Sequence, residues 1–209
     1  VREDVSAVLF DEPLTVIDPH LKWQLRRKLK QVHHELKLTL IYVTHDQVEA
    51  LTFAQQVVVM TRGRAVQMGS ASELFERPRH TFVGNFIGSP GMNFLPARGT
   101  GSGIEVAGRI LPAAERRVGP PGPFHLGVRP EYVRLSDSQD AGAVPAVVSQ
   151  AQDIGTYWLV TARLGAQADA PLLRARLGPD ETIPQVGQSV WLQVVGEHTC
   201  YYLNEELIA

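Results

Sequence analysis

The sequence predicts an α/β region, a parallel sheet layered with helices, followed by an all-β region that forms a small antiparallel barrel. Three observations carry this. Over residues 1–77, short apolar runs alternate with a helical leucine stripe. From about residue 98 onward no lysine occurs, glycine and proline become frequent, and the helical period gives way to short strand-like runs. Between the two lies a stretch holding Pro78, Gly84, Gly88, Pro90, Gly91 and Pro96, the composition of a connector. The expected organisation is therefore residues 1–77, a linker at 78–97, and a second domain at 98–209.

The elements follow in order. Ser6 to Phe10 is too short for a helix and suits a strand covered on both faces. Asp18-Pro19 reads as an N-cap followed by proline in the first helical turn. Leu21, Leu25, Leu29, Val32 and Leu36 then make one stripe of an amphipathic helix. Leu38 to Val43 is a second strand, Gln47 to Ala54 a short helix, and Val57 to Met60 a third strand. Arg62-Gly63-Arg64 turns into Ala65 to Met68, a hairpin, and Ser70 with Glu73 is a capping box for a helix that stops before Pro78. Strands separated by helices imply the parallel sheet. Further on, Phe124–Val128, Ala143–Gln152, Tyr157–Leu164, Leu172–Leu177, Ser189–Val195 and Thr199–Leu203 read as strands. Many short strands at this spacing suit the five-stranded oligonucleotide/oligosaccharide-binding (OB) type of barrel.

Composition narrows the function classes. A net charge of −2 gives no electrostatic case for nucleic acid as the main partner. The single cysteine, Cys200, excludes an internal disulfide and fits a reducing compartment. No apolar run approaches the roughly 18 residues of a membrane span. The opening residues Val-Arg-Glu-Asp lack both an initiator methionine and a secretory pattern, so the expectation is a trimmed, cytosolic piece whose membrane link runs through a partner. Trp23, Trp158 and Trp191 are expected to pack in or against cores.

The chemistry centres on Ala7-Val8-Leu9-Phe10-Asp11-Glu12-Pro13, a strand delivering two carboxylates at its tip. Asp11 could bind magnesium directly or through water, and Glu12 could orient or deprotonate an attacking water. The plain alternative is a solvated turn closed by Pro13. One strand later comes Val43-Thr44-His45-Asp46, where a locally satisfied helix-cap histidine is the corresponding plain reading.

Taken in order, Asp11-Glu12-Pro13-Leu14, Thr15-Val16-Ile17-Asp18 and Thr44-His45-Asp46-Gln47-Val48-Glu49-Ala50-Leu51 resemble the ATP-binding subunit of ABC importers. The connector segments Phe82–Pro90 and Met92–Pro96 are similar to those of its sugar and glycerol-phosphate subfamily. Gly127-Val128-Arg129-Pro130-Glu131 resembles that subfamily's C-terminal regulatory barrel, of the TOBE type. The resemblance implies a partial nucleotide-binding domain followed by that barrel. It implies Asp11 as the magnesium residue, through water, and Glu12 and His45 as the catalytic pair acting on water and γ-phosphate. Asp18 would serve nucleotide binding from the D-loop, at the interface of two such domains. The implied cofactors are Mg2+ and ATP in the complete family site. The implied partners are a second copy, paired through the C-terminal domains, and transmembrane permease subunits. The location would be cytoplasmic, peripheral on the inner face of the cell membrane.

One departure is large. All four lysines, Lys22, Lys28, Lys30 and Lys37, precede Gly63, the first glycine, so no glycine–lysine phosphate loop exists in the chain. The expectation is an ATPase fragment, inactive alone and binding neither ATP nor Mg2+. Two readings compete: a non-enzymatic regulatory and dimerisation module, and a nucleic-acid adaptor using the basic helix with Lys22, Arg26, Arg27, Lys28 and Lys30. The leucine stripe argues that those charges are the helix's solvated faces.

Overall fold

A computed structural model describes residues 5–112, 120–138, 140–165, 167 and 169–208; the opening Val1–Asp4 lies outside them. The chain divides into two compact units, Val1–Glu73 and Leu74–Ala209.

In the first unit, β1 (Ala7–Asp11) leads through α1 (Pro19–Leu36) to β2 (Thr39–Val43). The two strands pair in parallel, from Ala7 opposite Thr39 to Asp11 opposite Val43. The helix forms where the leucine stripe predicts it. Asp18 caps it by accepting from the His20 amide at 2.9 Å, and Lys37 ends it in a left-handed conformation (φ 50°). Then come α2 (Gln47–Phe53) and an antiparallel hairpin of β3 (Val57–Thr61) and β4 (Arg64–Gly69). Arg62 and Gly63 both take positive φ at its turn, the geometry that matches strand twist.

The strands of the parallel pair are covered on one face only. Phe10, Tyr42 and Phe53 of α2 pack there, with ring centroids 6.4 and 4.9 Å apart. Successive strand residues point to opposite faces, and on the other face Leu9, Ile41 and Val43 are 65, 52 and 46% exposed. The expectation of cover on both faces fails because α2 packs against only one side. Trp23 is also exposed rather than in a core, with the Arg27 guanidinium 4.8 Å above its ring.

The boundary between the units falls inside α3 (Ala71–Glu76). Its capping box is formed: Glu73 accepts from the Ser70 amide at 2.7 Å, and Ser70 Oγ accepts from the Glu73 amide at 3.3 Å.

The segment 78–97, expected as a linker, is built into the second unit. It holds α4 (Thr81–Phe86) and the first half of β5 (Asn93–Thr100). Its glycines serve close approach: a Cβ at Gly84 would lie 2.9 Å from Phe94 Cζ, and one at Gly91 2.5 Å from the Asn85 carbonyl. After β5 come β6 (Gly103–Val106), β7 (Arg109–Leu111), β8 (Gly122–Val128), a 3-10 turn (Pro130–Tyr132) and β9 (Arg134–Ser136). The remaining strands are β10 (Ala143–Asp153), β11 (Trp158–Arg163), β12 (Leu172–Leu177), β13 (Ser189–Gln193), β14 (Cys200–Leu203) and β15 (Glu206–Leu207).

These strands pair antiparallel into two sheets, ordered β12-β11-β10-β13-β9 and β15-β14-β8-β5-β6-β7. One apolar core is shared by both, with Leu95, Leu126, Val144, Val160, Leu173 and Leu192 fully buried. The all-β expectation for this region holds. The strand inventory exceeds that of a lone five-stranded barrel: β6, β7, β9 and β15 are too short to stand out from turns in the sequence, and Pro96 and Gly99 interrupt β5. Arg129 is 1% exposed. It donates to the carbonyls of Phe75 and Ile87 at 2.6 and 2.5 Å and lies over the Phe75 ring. Burial pulls its guanidinium below the ordinary value, and nearby Glu131 opposes that shift.

Candidate functional site

Parallel pairing brings the C-terminal tips of β1 and β2 side by side, and the expected catalytic residues stand on them. Glu12 leaves β1 with its amide donating to the Val43 carbonyl at 2.9 Å. Its φ of 44° is a left-handed value that a carboxylate side chain adopts at a cost, and such positions concentrate at functional sites. The conformation turns the carboxylate across to the next strand. Glu12 Oε1 lies 2.9 Å from His45 Nδ1, and Glu12 Oε2 accepts from Thr15 Oγ at 3.1 Å. His45 sits between the end of β2 and the cap of α2, where Asp46 accepts from the Val48 and Glu49 amides at 2.8 and 3.2 Å.

The pair is open to solvent, with the side chains of His45 and Glu12 67 and 43% exposed. The His45 imidazole, with the Thr15 hydroxyl, holds the Glu12 carboxyl below the usual carboxylate range. The Glu12 carboxylate pushes the His45 imidazole up from its ordinary value. At neutral pH the tip therefore presents an anionic acceptor beside a histidine that it favours as a cation.

Asp11 lies opposite Val43 at the end of β1, exposed, and its carboxylate makes no hydrogen bond or ion pair among the described residues. Among the described residues there is no group of three or more His, Cys, Asp or Glu able to hold a metal. One exposed carboxylate still fits magnesium, which takes one or two protein carboxylates and completes its shell with water and phosphate. Asp18 is not gathered with these residues; its carboxylate caps α1. The structure thus unites Asp11, Glu12 and His45 and leaves Asp18 apart. Sequence reasoning missed Thr15, whose hydroxyl also contacts the Glu12 carbonyl at 3.2 Å. Its signal was a hydroxyl three residues after a strand-tip carboxylate, the offset at which a turn closes.

The basic residues of α1 largely have local partners. Lys22 Nζ is 3.7 Å from Glu49, Lys30 donates to the Thr52 carbonyl at 2.7 Å, Lys28 to Gln31 at 3.3 Å, and Arg27 covers Trp23.

Residues 126–201 match the TOBE domain family. The sn-glycerol-3-phosphate import ATP-binding protein UgpC of Shigella sonnei (strain Ss046) is 42% identical over 204 residues, which cover 93% of this chain and 54% of that protein. Its counterpart in Escherichia coli (strain K12) is 43% identical with the same coverage. That of Salmonella typhi is 41% identical over 99% of this chain and 57% of its own length. The chain is homologous to these import ATP-binding proteins, and it spans about half the length of the curated relatives it matches.

Proposed function

We propose that this chain is part of the ATP-binding, ATP-hydrolysing subunit of an ABC importer that energises uptake of a sugar or glycerol-phosphate-like solute. The observation that carries the reading is the Glu12–His45 contact of 2.9 Å at the tip of a parallel strand pair. Residues 1–77 are its share of the nucleotide-binding domain, and residues after 98 its regulatory barrel. The relatives' printed role in sn-glycerol-3-phosphate import supports the solute class.

In this reading Glu12 accepts a proton from, or orients, the attacking water. It remains anionic because His45 and Thr15 stabilise its charged form. His45 aligns that water and faces the γ-phosphate with its remaining ring nitrogen. Asp11 would hold magnesium, and that ion, when bound, would neutralise phosphate charge. Asp18 meets a second nucleotide-binding domain from its cap position. The partners are a second copy, joined through the C-terminal domains, and transmembrane permease subunits. Nucleic acid is not a partner. The location is cytoplasmic, peripheral on the inner membrane face. No helix among the described residues is long and apolar enough to cross a membrane.

Backbone amides and a lysine supply most of the phosphate positioning in such sites, and no glycine precedes a lysine here. The chain alone is therefore expected to show no ATP hydrolysis and little ATP binding. Stoichiometric micromolar Mg-ATP binding by titration calorimetry would contradict that. The reading as a whole is tested in the coding frame upstream of Val1, which is expected to encode a glycine–lysine loop. In the product of that extended frame, Glu12→Gln should lower Mg-ATP hydrolysis by about 10²–10⁴-fold. A frame without the loop, or an unchanged rate, overturns the reading.

A second reading, a non-enzymatic regulatory and dimerisation module, is favoured by the self-contained core of the second unit and its TOBE match. Sedimentation of the whole chain as a dimer is expected under it, and a monomer excludes it.

A further inference from the structure

Glu49 is a carboxylate that the mechanism above does not use, yet it is 4% exposed on α2, one turn from His45. Burying a charge is costly unless it is paired and hydrogen-bonded. Its partners are arranged around the histidine. Glu49 Oε2 accepts from Tyr42 Oη at 3.0 Å and from Thr44 Oγ at 3.1 Å, both on the chain leading into His45. The Thr44 hydroxyl in turn accepts from the Asp46 amide at 3.0 Å, on the other side of His45. Glu49 Oε1 is buried without a hydrogen bond, and Lys22 Nζ of α1 stands 3.7 Å from it. One carboxylate thus fastens the residues before and after His45 to α1 and α2.

We infer that Glu49 is a positioning residue: through Thr44 and Tyr42 it sets the backbone that aims His45 at Glu12. The inference rests on Glu12 and His45 being the water-handling pair. It assigns Glu49 no contact with the reacting atoms. Without the Thr44 anchor, the His45 loop is free to swing on the Asp46 cap, and the 2.9 Å contact to Glu12 becomes one geometry among several. The charged groups facing His45 are Glu12 from the β1 tip and Asp46 and Glu49 from α2, with Lys22 of α1 against Glu49.

The test is the titration midpoint of the His45 ring proton, followed by nuclear magnetic resonance in the whole chain and assigned with His45→Gln. Glu12→Ala marks full loss of the contact. Glu49→Ala and Thr44→Val are each expected to move the midpoint at least halfway from the wild-type value to the Glu12→Ala value. Glu49→Gln, whose amide oxygen still accepts, is expected to keep most of the wild-type elevation. A charge acting only through its field would move Glu49→Gln as far as Glu49→Ala and leave Thr44→Val unmoved, and either result overturns the inference. Should Glu49→Ala not fold, Thr44→Val decides: a wild-type midpoint in that folded variant is fatal. An extended frame whose hydrolysis ignores Glu12→Gln removes the ATPase reading without altering these midpoints. Identical midpoints across the Glu49 and Thr44 variants remove the positioning role and leave that reading standing.

Discussion

Asn93 and Arg174 exchange two hydrogen bonds across the gap between the sheets of the second unit. The Asn93 amide nitrogen donates to the Arg174 carbonyl at 2.9 Å, and the Arg174 amide donates to the Asn93 side-chain oxygen at 2.9 Å. A side chain of β5 thereby imitates a neighbouring strand for β12, at the edge of the other sheet. Edge strands expose unpaired amides and carbonyls, and here one residue 4% exposed satisfies both groups at one position.

Asn93→Leu is expected to cost about 1–2 kcal/mol, because it leaves the partly buried Arg174 amide and carbonyl without their protein partner. Asn93→Asp should fall between, since a carboxylate accepts from the Arg174 amide but cannot donate to its carbonyl. Urea unfolding followed through Trp158 and Trp191, both in the second unit, measures this.

Arg129→Met should lower the stability of the second unit by about 3 kcal/mol, because the Phe75 and Ile87 carbonyls lose their charged donor. Arg129→Lys recovers part of this: an ammonium supplies donors without the planar fork that reaches both carbonyls. The same unfolding assay reads both variants.

The Glu12–His45 contact makes a signed prediction for pH. Glu12 is lowered from its ordinary 4.5, so its contribution is present above that pH and disappears as pH falls through the folded value. His45 is raised from 6.5, so its contribution is complete below that pH and disappears as pH rises through the folded value. The stability difference between wild type and Glu12→Gln should therefore peak between pH 4.5 and 6.5 and shrink on both sides. Denaturant midpoints across that range check the shape; a flat difference contradicts it.

Ile41→Thr, on the open face of the parallel pair, should change stability by no more than about 0.5 kcal/mol, as surface substitutions generally do. It should also reduce self-association at high concentration, measured by sedimentation, because exposed apolar faces associate.

What was legible in the sequence follows the strength of local signals. α1 was readable because five apolar residues keep helical spacing and Asp18-Pro19 caps it. The site was readable because Asp11, Glu12 and His45 each stand at the end of an apolar strand. Their meeting depended on the parallel register of β1 and β2, which sequence proximity does not encode. β5 was hidden because Pro96 and Gly99 interrupt its alternation, and its partner β8 comes only after β6 and β7. Arg129 looked like a motif residue. Its role as a donor to carbonyls 42 and 54 residues away is purely tertiary. The exposure of Leu9 and Ile41 was likewise invisible, since an apolar strand reads the same whether or not anything covers it.

The bare face formed by Leu9, Ile41 and Val43 has an experimental use. An environment-sensitive dye such as anilinonaphthalene sulfonate would find its landing place on the first unit of the native chain. The second unit buries most of its aliphatic side chains in a shared core, with Ile110, Leu172 and Val186 among those left exposed. The share of native-state dye fluorescence that Ile41→Thr removes would thus act as a gauge of that sheet surface, dimming whenever another polypeptide comes to rest on it.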